Sequence, residues 1–146
     1  MSSVIKISEA ASLALHTMVV LAKNRNKIFT TKDIAIFLNA SRDHLSKVLQ
    51  RLEKENFIVS VKGPKGGFKI GKNKEDVTLL QIYEAIDGPL LPTHCLLDNP
   101  ICDGTNCIMG DLNKINIQVR NYLTNTKLSG LAYICEDKKP GDMDPV

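Results

Sequence analysis

Three cysteines, Cys95, Cys102 and Cys107, fall within the thirteen residues "CLLDNPICDGTNC", separated by six and four residues. Thiolates are soft donors. On a stretch rich in glycine, proline and short polar residues, three of them can converge on one metal centre, because no regular element holds them apart. Iron-sulfur clusters and zinc both accept such a set. The alternative is three reduced, unligated thiols. The N-terminus lacks the charged, apolar and small-residue succession of a secretory signal, so a cytosolic protein is expected. In a reducing compartment cysteines serve metal or redox chemistry more often than structural disulfides. A fourth cysteine, Cys135, stands near the C-terminal tail.

A second chemistry is electrostatic. Residues 23–74 carry thirteen Lys/Arg against four Asp/Glu, and the remainder carries six against twelve. The net charge of +3 therefore hides a strongly cationic segment joined to an anionic body. That asymmetry is the footprint of a nucleic-acid-binding face. At 146 residues the chain suffices for one globular domain with a helical extension. No run of eighteen apolar residues occurs, so no membrane span is expected.

These groups must be positioned by regular elements. Ile7, Ala11, Ala14, Leu15, Met18, Leu21 and Ala22 recur at spacings of three and four, one face of an amphipathic helix over 7–22. In "TTKDIAIFLNA", Thr30 offers an N-cap with Asp33 three residues on, and Ile34, Ala35 and Leu38 form a short apolar stripe. Ser41 then caps a third helix whose inner positions are Leu45, Val48, Leu49 and Leu52. Two helices joined by a few residues form a helix-turn-helix. The outward residues of the third helix are Arg42, Asp43, His44, Ser46, Lys47, Gln50, Arg51 and Lys54. They are cations and hydrogen-bonding groups, as on a solvated face or a DNA-reading one.

"FIVSVK", residues 57–62, reads as a strand and "FKIGK" from Phe68 as its return, joined through Gly63, Pro64, Lys65, Gly66 and Gly67. A hairpin directly after a helix-turn-helix is a wing. The same glycines do not make a nucleotide cradle, which needs a strand-to-helix junction and usually a Gly-Lys-Ser/Thr ending. The wing lysines suit a phosphate backbone or a minor groove instead. Beyond it, Thr78 and Gln81 form a capping box for a fourth helix with Leu79, Ile82, Tyr83 and Ile86 on its apolar side, ended by Gly88-Pro89. An irregular stretch from Leu90 to Asn106 leads to a helix with Ile108, Leu112, Ile115, Val119 and Tyr122 in a stripe. The stripe fits a helix packed on a twin or on its own domain. The tail "EDKKPGDMDPV" is polar and expected to be disordered.

The order of these elements and their strings resemble the winged-helix transcription regulators of the Rrf-two family, which includes IscR, NsrR and CymR. The resemblance covers residues 4–130 and is most specific in "VKGPKGGFKIGKNKEDVTLLQIYEAIDGP", with "ISEAASLALHTMVVLA" as the usual first helix. It implies a mainly α fold with a small β-hairpin. The expected organisation is a winged helix-turn-helix domain over 1–89, a cysteine loop over 90–107, a dimerisation helix and C-terminal segment over 108–135, and a tail over 136–146. It also implies a homodimer on a roughly palindromic double-stranded DNA operator, with the third helix in the major groove and the wing at the minor groove. Ser41, Asp43, His44, Ser46 and Lys47 then occupy the groove-facing turns, and Lys62, Lys65, Gly66 and Gly67 the wing. Thr31, Arg42, Arg51 and Pro64 complete the candidate DNA-facing set. Many relatives have arginine where Lys62 stands, and lysine lacks its bidentate fork.

Cluster-binding relatives carry three cysteines at this place, so the resemblance implies a redox-labile or nitric-oxide-sensitive [2Fe-2S] or [4Fe-4S] cluster on Cys95, Cys102 and Cys107. Their fourth ligand is a histidine after the third cysteine or an aspartate on the partner's first helix. This chain has Gly110 and Ser12 at those places. Candidate substitutes are Glu9 and His16, about one helical turn either side of Ser12, and Asp111. His94, adjacent to Cys95, and Cys135 are weaker candidates. The function expected is a dimeric DNA-binding repressor or activator whose operator affinity depends on the cluster. A regulator using zinc, a thiol switch or a partner protein is the alternative. A small iron-sulfur redox protein leaves the cationic segment and the wing unexplained, and no acid-base or nucleophilic constellation supports it.

Overall fold

Short polar side chains set the first turns of most helices in this fold. The computed structural model describes residues 6–72, 76–91, 95, 97, 99–103, 105–107 and 110–131. Ser8 is extended and its hydroxyl accepts from the Ala11 amide, so the first helix, α1, spans Glu9–Lys23. Ile7 is thus outside the helix and 44% exposed, which corrects the expected start. α1 is also more than a one-faced helix. Ala11, Leu13, Ala14, Thr17, Met18, Val19, Val20, Leu21 and Ala22 are all buried, because α1 is the central post against which the other elements pack.

α2 (Thr31–Leu38) starts on the Thr30–Asp33 capping box and stops at Asn39, which adopts the left-handed conformation at φ 51° and ψ 48°. α3 (Arg42–Lys54) follows from the Ser41 cap, with Leu45, Val48, Leu49 and Leu52 all buried as the spacing requires. β1 (Ile58–Val61) pairs antiparallel with β2 (Gly67–Ile70), Ile58 opposite Ile70 and Val61 opposite Gly67. α4 (Leu79–Asp87) has the Thr78–Gln81 capping box at one end and Gly88, at φ 84°, at the other. α5 spans Gly110–Asn125 and α6 Leu128–Leu131.

The main core joins α1, α3 and α4 with Ile34, Phe57, Ile58, Ile70 and Leu128. A smaller cluster of Leu79, Leu80 and Leu123 seats α5 on α4. After α5 the chain returns to α4: the Leu79 amide donates to Thr126 O at 3.0 Å and the Leu128 amide to Val77 O at 2.8 Å. The periodicity of the chain points to neither this return nor α6. Ile108, His94, Cys135 and the tail 136–146 lie outside the described residues. Among the described residues no helix is long and apolar enough to cross a membrane.

Leu49, on the inner face of α3, has no exposed surface. Leu49→Ala is expected to lower unfolding free energy by about 2–5 kcal/mol in urea titrations, through lost burial and the cavity left behind. In the α2 cap, the Thr30 hydroxyl and amide donate to Asp33 Oδ2 at 2.7 and 2.9 Å. These bonds, the hydroxyl's first, hold the Asp33 carboxyl below its ordinary 3.8. A lowered folded-state value means that the stabilisation is fully present above the unfolded value and is lost as pH falls through the folded one. The stability difference between the parent and Asp33→Ala should therefore shrink as pH drops below 3.8.

Candidate nucleic-acid interface and cysteine loop

Because α3 turns Leu45, Val48, Leu49 and Leu52 inward, its polar residues face away from the core. Arg42, Asp43, Lys47, Gln50, Arg51 and Lys54 are exposed, and His44 and Ser46 half-buried. Ser41, at the cap, is exposed and accepts from the His44 amide at 3.5 Å. Thr31 is half-buried in the first turn of α2. The side chains of His44 and Arg51 have partners on other elements. His44 Nδ1 lies 3.6 Å from Glu9 Oε1, linking α3 to the start of α1. Arg51 Nη1 donates to Ile86 O at 2.8 Å, linking α3 to the last turn of α4.

The wing is built as a tight turn. Gly63 takes φ 110° and its carbonyl accepts from the Gly66 amide at 2.9 Å. A Cβ on Gly66 would run into Val61 O and come within 2.8 Å of Gly63 O. Lys62, Pro64 and Lys65 at the tip are exposed, and Gly66 and Gly67 half-buried. The hairpin is not free-standing. Phe29, just ahead of the α2 cap, exchanges two backbone hydrogen bonds with Phe68, at 2.9 and 2.7 Å, and so adds a third strand stub. A Cβ on Gly67 would come within 2.5 Å of Phe29 O. Ser60 on β1 also donates its hydroxyl to Glu53 on α3. The wing is thereby tied to both helices of the helix-turn-helix. Lys27 stands 5.0 Å from the centroid of the Phe29 ring.

The cysteines lie between α4 and α5, with Cys95 and Cys107 half-buried and Cys102 exposed. Cys95 Sγ accepts from the Leu97 amide at 3.4 Å. The Thr105 amide and hydroxyl both donate to Asp103 Oδ1, an Asx turn just before Cys107. The Thr105 hydroxyl, and then its amide, hold the Asp103 carboxyl below its ordinary range. The donor set suits an iron-sulfur centre in type, and an N–H directed at a ligating sulfur is one of the features that tune such centres. Assembly is another matter: among the described residues no three His, Cys, Asp or Glu side chains converge on one point.

Three of the candidate fourth donors have neighbours of their own. Glu9 faces His44, His16 Nδ1 lies 2.7 Å from Ser12 O in its own helix, and Asp111 Oδ1 is 3.0 Å from Lys114 Nζ. Ser12 is half-buried within α1.

A helix-turn-helix whose second helix presents polar and cationic groups, followed by a braced glycine-turn hairpin, defines a winged-helix regulator. The Rrf2 family model, described as an iron-dependent transcriptional regulator, matches residues 7–133. The chain belongs to that family and is a transcriptional regulator. It is 28% identical over 133 residues to a putative HTH-type transcriptional regulator of Aquifex aeolicus, covering 88% of this chain and 92% of that one. It is 30% identical over 108 residues to the HTH-type transcriptional regulator NsrR of Bacillus licheniformis, covering 66% and 73%. The structure of CymR, the global cysteine regulator of B. subtilis, superposes with a TM-score of 0.77 at 26% identity, covering 90% of this chain and 99% of that one.

Proposed function

We propose that the protein is a homodimeric regulator that binds a double-stranded DNA operator through α3 and the wing, and that an iron-sulfur cluster on Cys95, Cys102 and Cys107 sets its affinity. The observation that carries this reading is the placement of the cysteines. They occupy the segment between α4, which packs on α3, and α5. On α5, Leu112, Ile115 and Tyr122 are 40%, 42% and 59% exposed, a row of apolar groups suited to a second copy of the same helix. A cluster bound there, [2Fe-2S] or [4Fe-4S], supplies a redox- or nitric-oxide-sensitive centre. The chain does the rest. Residues 1–89 read DNA, 108–135 pair the protomers, and 90–107 fix how one sits against the other. Two α3 helices must stand about 34 Å apart to enter successive major grooves, so a small change at α5 changes the population of binding-competent dimers.

The test is anaerobic purification with iron, sulfide and zinc quantified beside the visible spectrum, followed by DNA titration of loaded and stripped protein. Matching iron and sulfide with unequal affinities are expected. Equal operator affinity in both forms would sink cluster control. A second reading, a thiol switch without a metal, is favoured by the exposure of Cys102 and by the separation of the donor groups. Protein that stays colourless after iron and sulfide reconstitution but loses operator affinity on oxidation selects it.

A further inference from the structure

The last turn of α4 collects bonds from the rest of the molecule. Glu84 Oε1 accepts from the Leu90 amide at 3.0 Å and from Arg120 Nη1 of α5 at 3.1 Å. The same Arg120 nitrogen donates to Leu90 O at 2.6 Å. Leu90 is therefore held by both its amide and its carbonyl, at the point where the chain leaves Gly88-Pro89 for the cysteines. Two residues beyond Glu84, Ile86 O receives Arg51 of the DNA-reading helix at 2.8 Å. Next to it, the Asp87 carboxylate receives the Ser8 amide at 3.2 Å and the Ser8 hydroxyl, at the cap of α1. One helical turn thus touches the root of the cysteine loop, α5, α3 and α1.

We infer that Glu84 and Arg120 form a latch on Leu90 through which the state of the cysteine loop reaches the recognition helix. This rests on the reading that the loop controls DNA binding, but on no particular cofactor. Glu84 and Arg120 are positioning residues: neither faces DNA or carries a cysteine ligand, and they act through Leu90 on one side and Ile86 on the other. A rearranged loop that displaces Leu90 carries Glu84 and Arg120 with it and so shifts the α4 turn that receives Arg51. An intact latch transmits the displacement, and a broken one uncouples it.

The experiment uses the full chain with Cys135→Ser, so that a maleimide reports on the loop, and a duplex selected in vitro on the reduced protein. In this parent, maleimide labelling is expected to change duplex affinity by about 5- to 150-fold, the usual range of coupling between sites. In Glu84→Met, and separately in Arg120→Met, unlabelled affinity should stay near the parent's while the labelling effect falls below about threefold. Lys127→Ala removes an exposed ion pair to Asp76, 3.8 Å away, without touching Leu90, and should keep the parent ratio. Variants that keep the full labelling effect overturn the latch. A parent indifferent to labelling overturns the latch and loop control together. Protein that responds to maleimide but assembles no cluster upholds the latch and rejects the iron-sulfur reading.

Discussion

The double substitution Lys62→Glu and Lys65→Glu is expected to make the salt dependence of operator binding shallower by about 2 per protomer in log–log slope, one for each phosphate that the wing no longer neutralises. Affinity at physiological salt should fall steeply, and the ranking of operator sequences should stay nearly unchanged, since lysine meets phosphate as a point charge. Both side chains are exposed at the tip of a hairpin whose backbone is set by Gly63 and Gly66. Thermal unfolding should therefore match the parent, which separates a binding defect from a folding one. An unchanged salt slope would remove the wing from the DNA interface and leave α3 to account for the cationic segment alone.

Serine in place of Cys102 and Cys107 together is the second large effect. Oxygen is a poor substitute for a thiolate in an iron-sulfur site, so the variant should retain neither iron nor sulfide after anaerobic reconstitution. Its operator affinity should then equal that of stripped parent protein, a change of about 5- to 150-fold from the loaded form. Cys102 is exposed and Cys107 half-buried, so the substitution removes little packing. If the parent itself takes up no iron or sulfide, and the variant binds DNA as the reduced parent does and merely becomes deaf to oxidants, the thiol-switch reading is correct.

The features legible in the sequence are those made by neighbours along the chain. The capping boxes of Thr30 with Asp33 and Thr78 with Gln81 form as their three-residue spacing demands. The four inner residues of α3 are buried as periodicity requires. What the sequence hides is long-range. The Phe29–Phe68 bridge, the return of Thr126 and Leu128 to the start of α4, and the bonds of Ser8, Arg51 and Arg120 join residues far apart in sequence. No local pattern marks such partners, although Phe29 beside a cap hints at an extended stub. α1 misleads for a related reason. Its one-faced periodicity is a subset of a helix buried nearly all round, and only its neighbours reveal that. The cysteine set is legible as chemistry. Its assembly is not, because among the described residues no three donor side chains converge on one point.

The return of the chain to α4 has a further consequence. The segment that departs at Gly88 comes back at Thr126, and its two attachment points are the two ends of one nine-residue helix. Everything between is an insert held across a fixed span of about 13 Å, the length of such a helix. Lengthening a loop costs only about 0.6 kcal/mol for each doubling of its length. The insert is therefore an exchangeable cartridge. Its length can be changed at small energetic penalty while the packing of α1, α3 and α4 is kept, provided the new piece still presents one backbone unit for α4 to grip and one helix to lie along it.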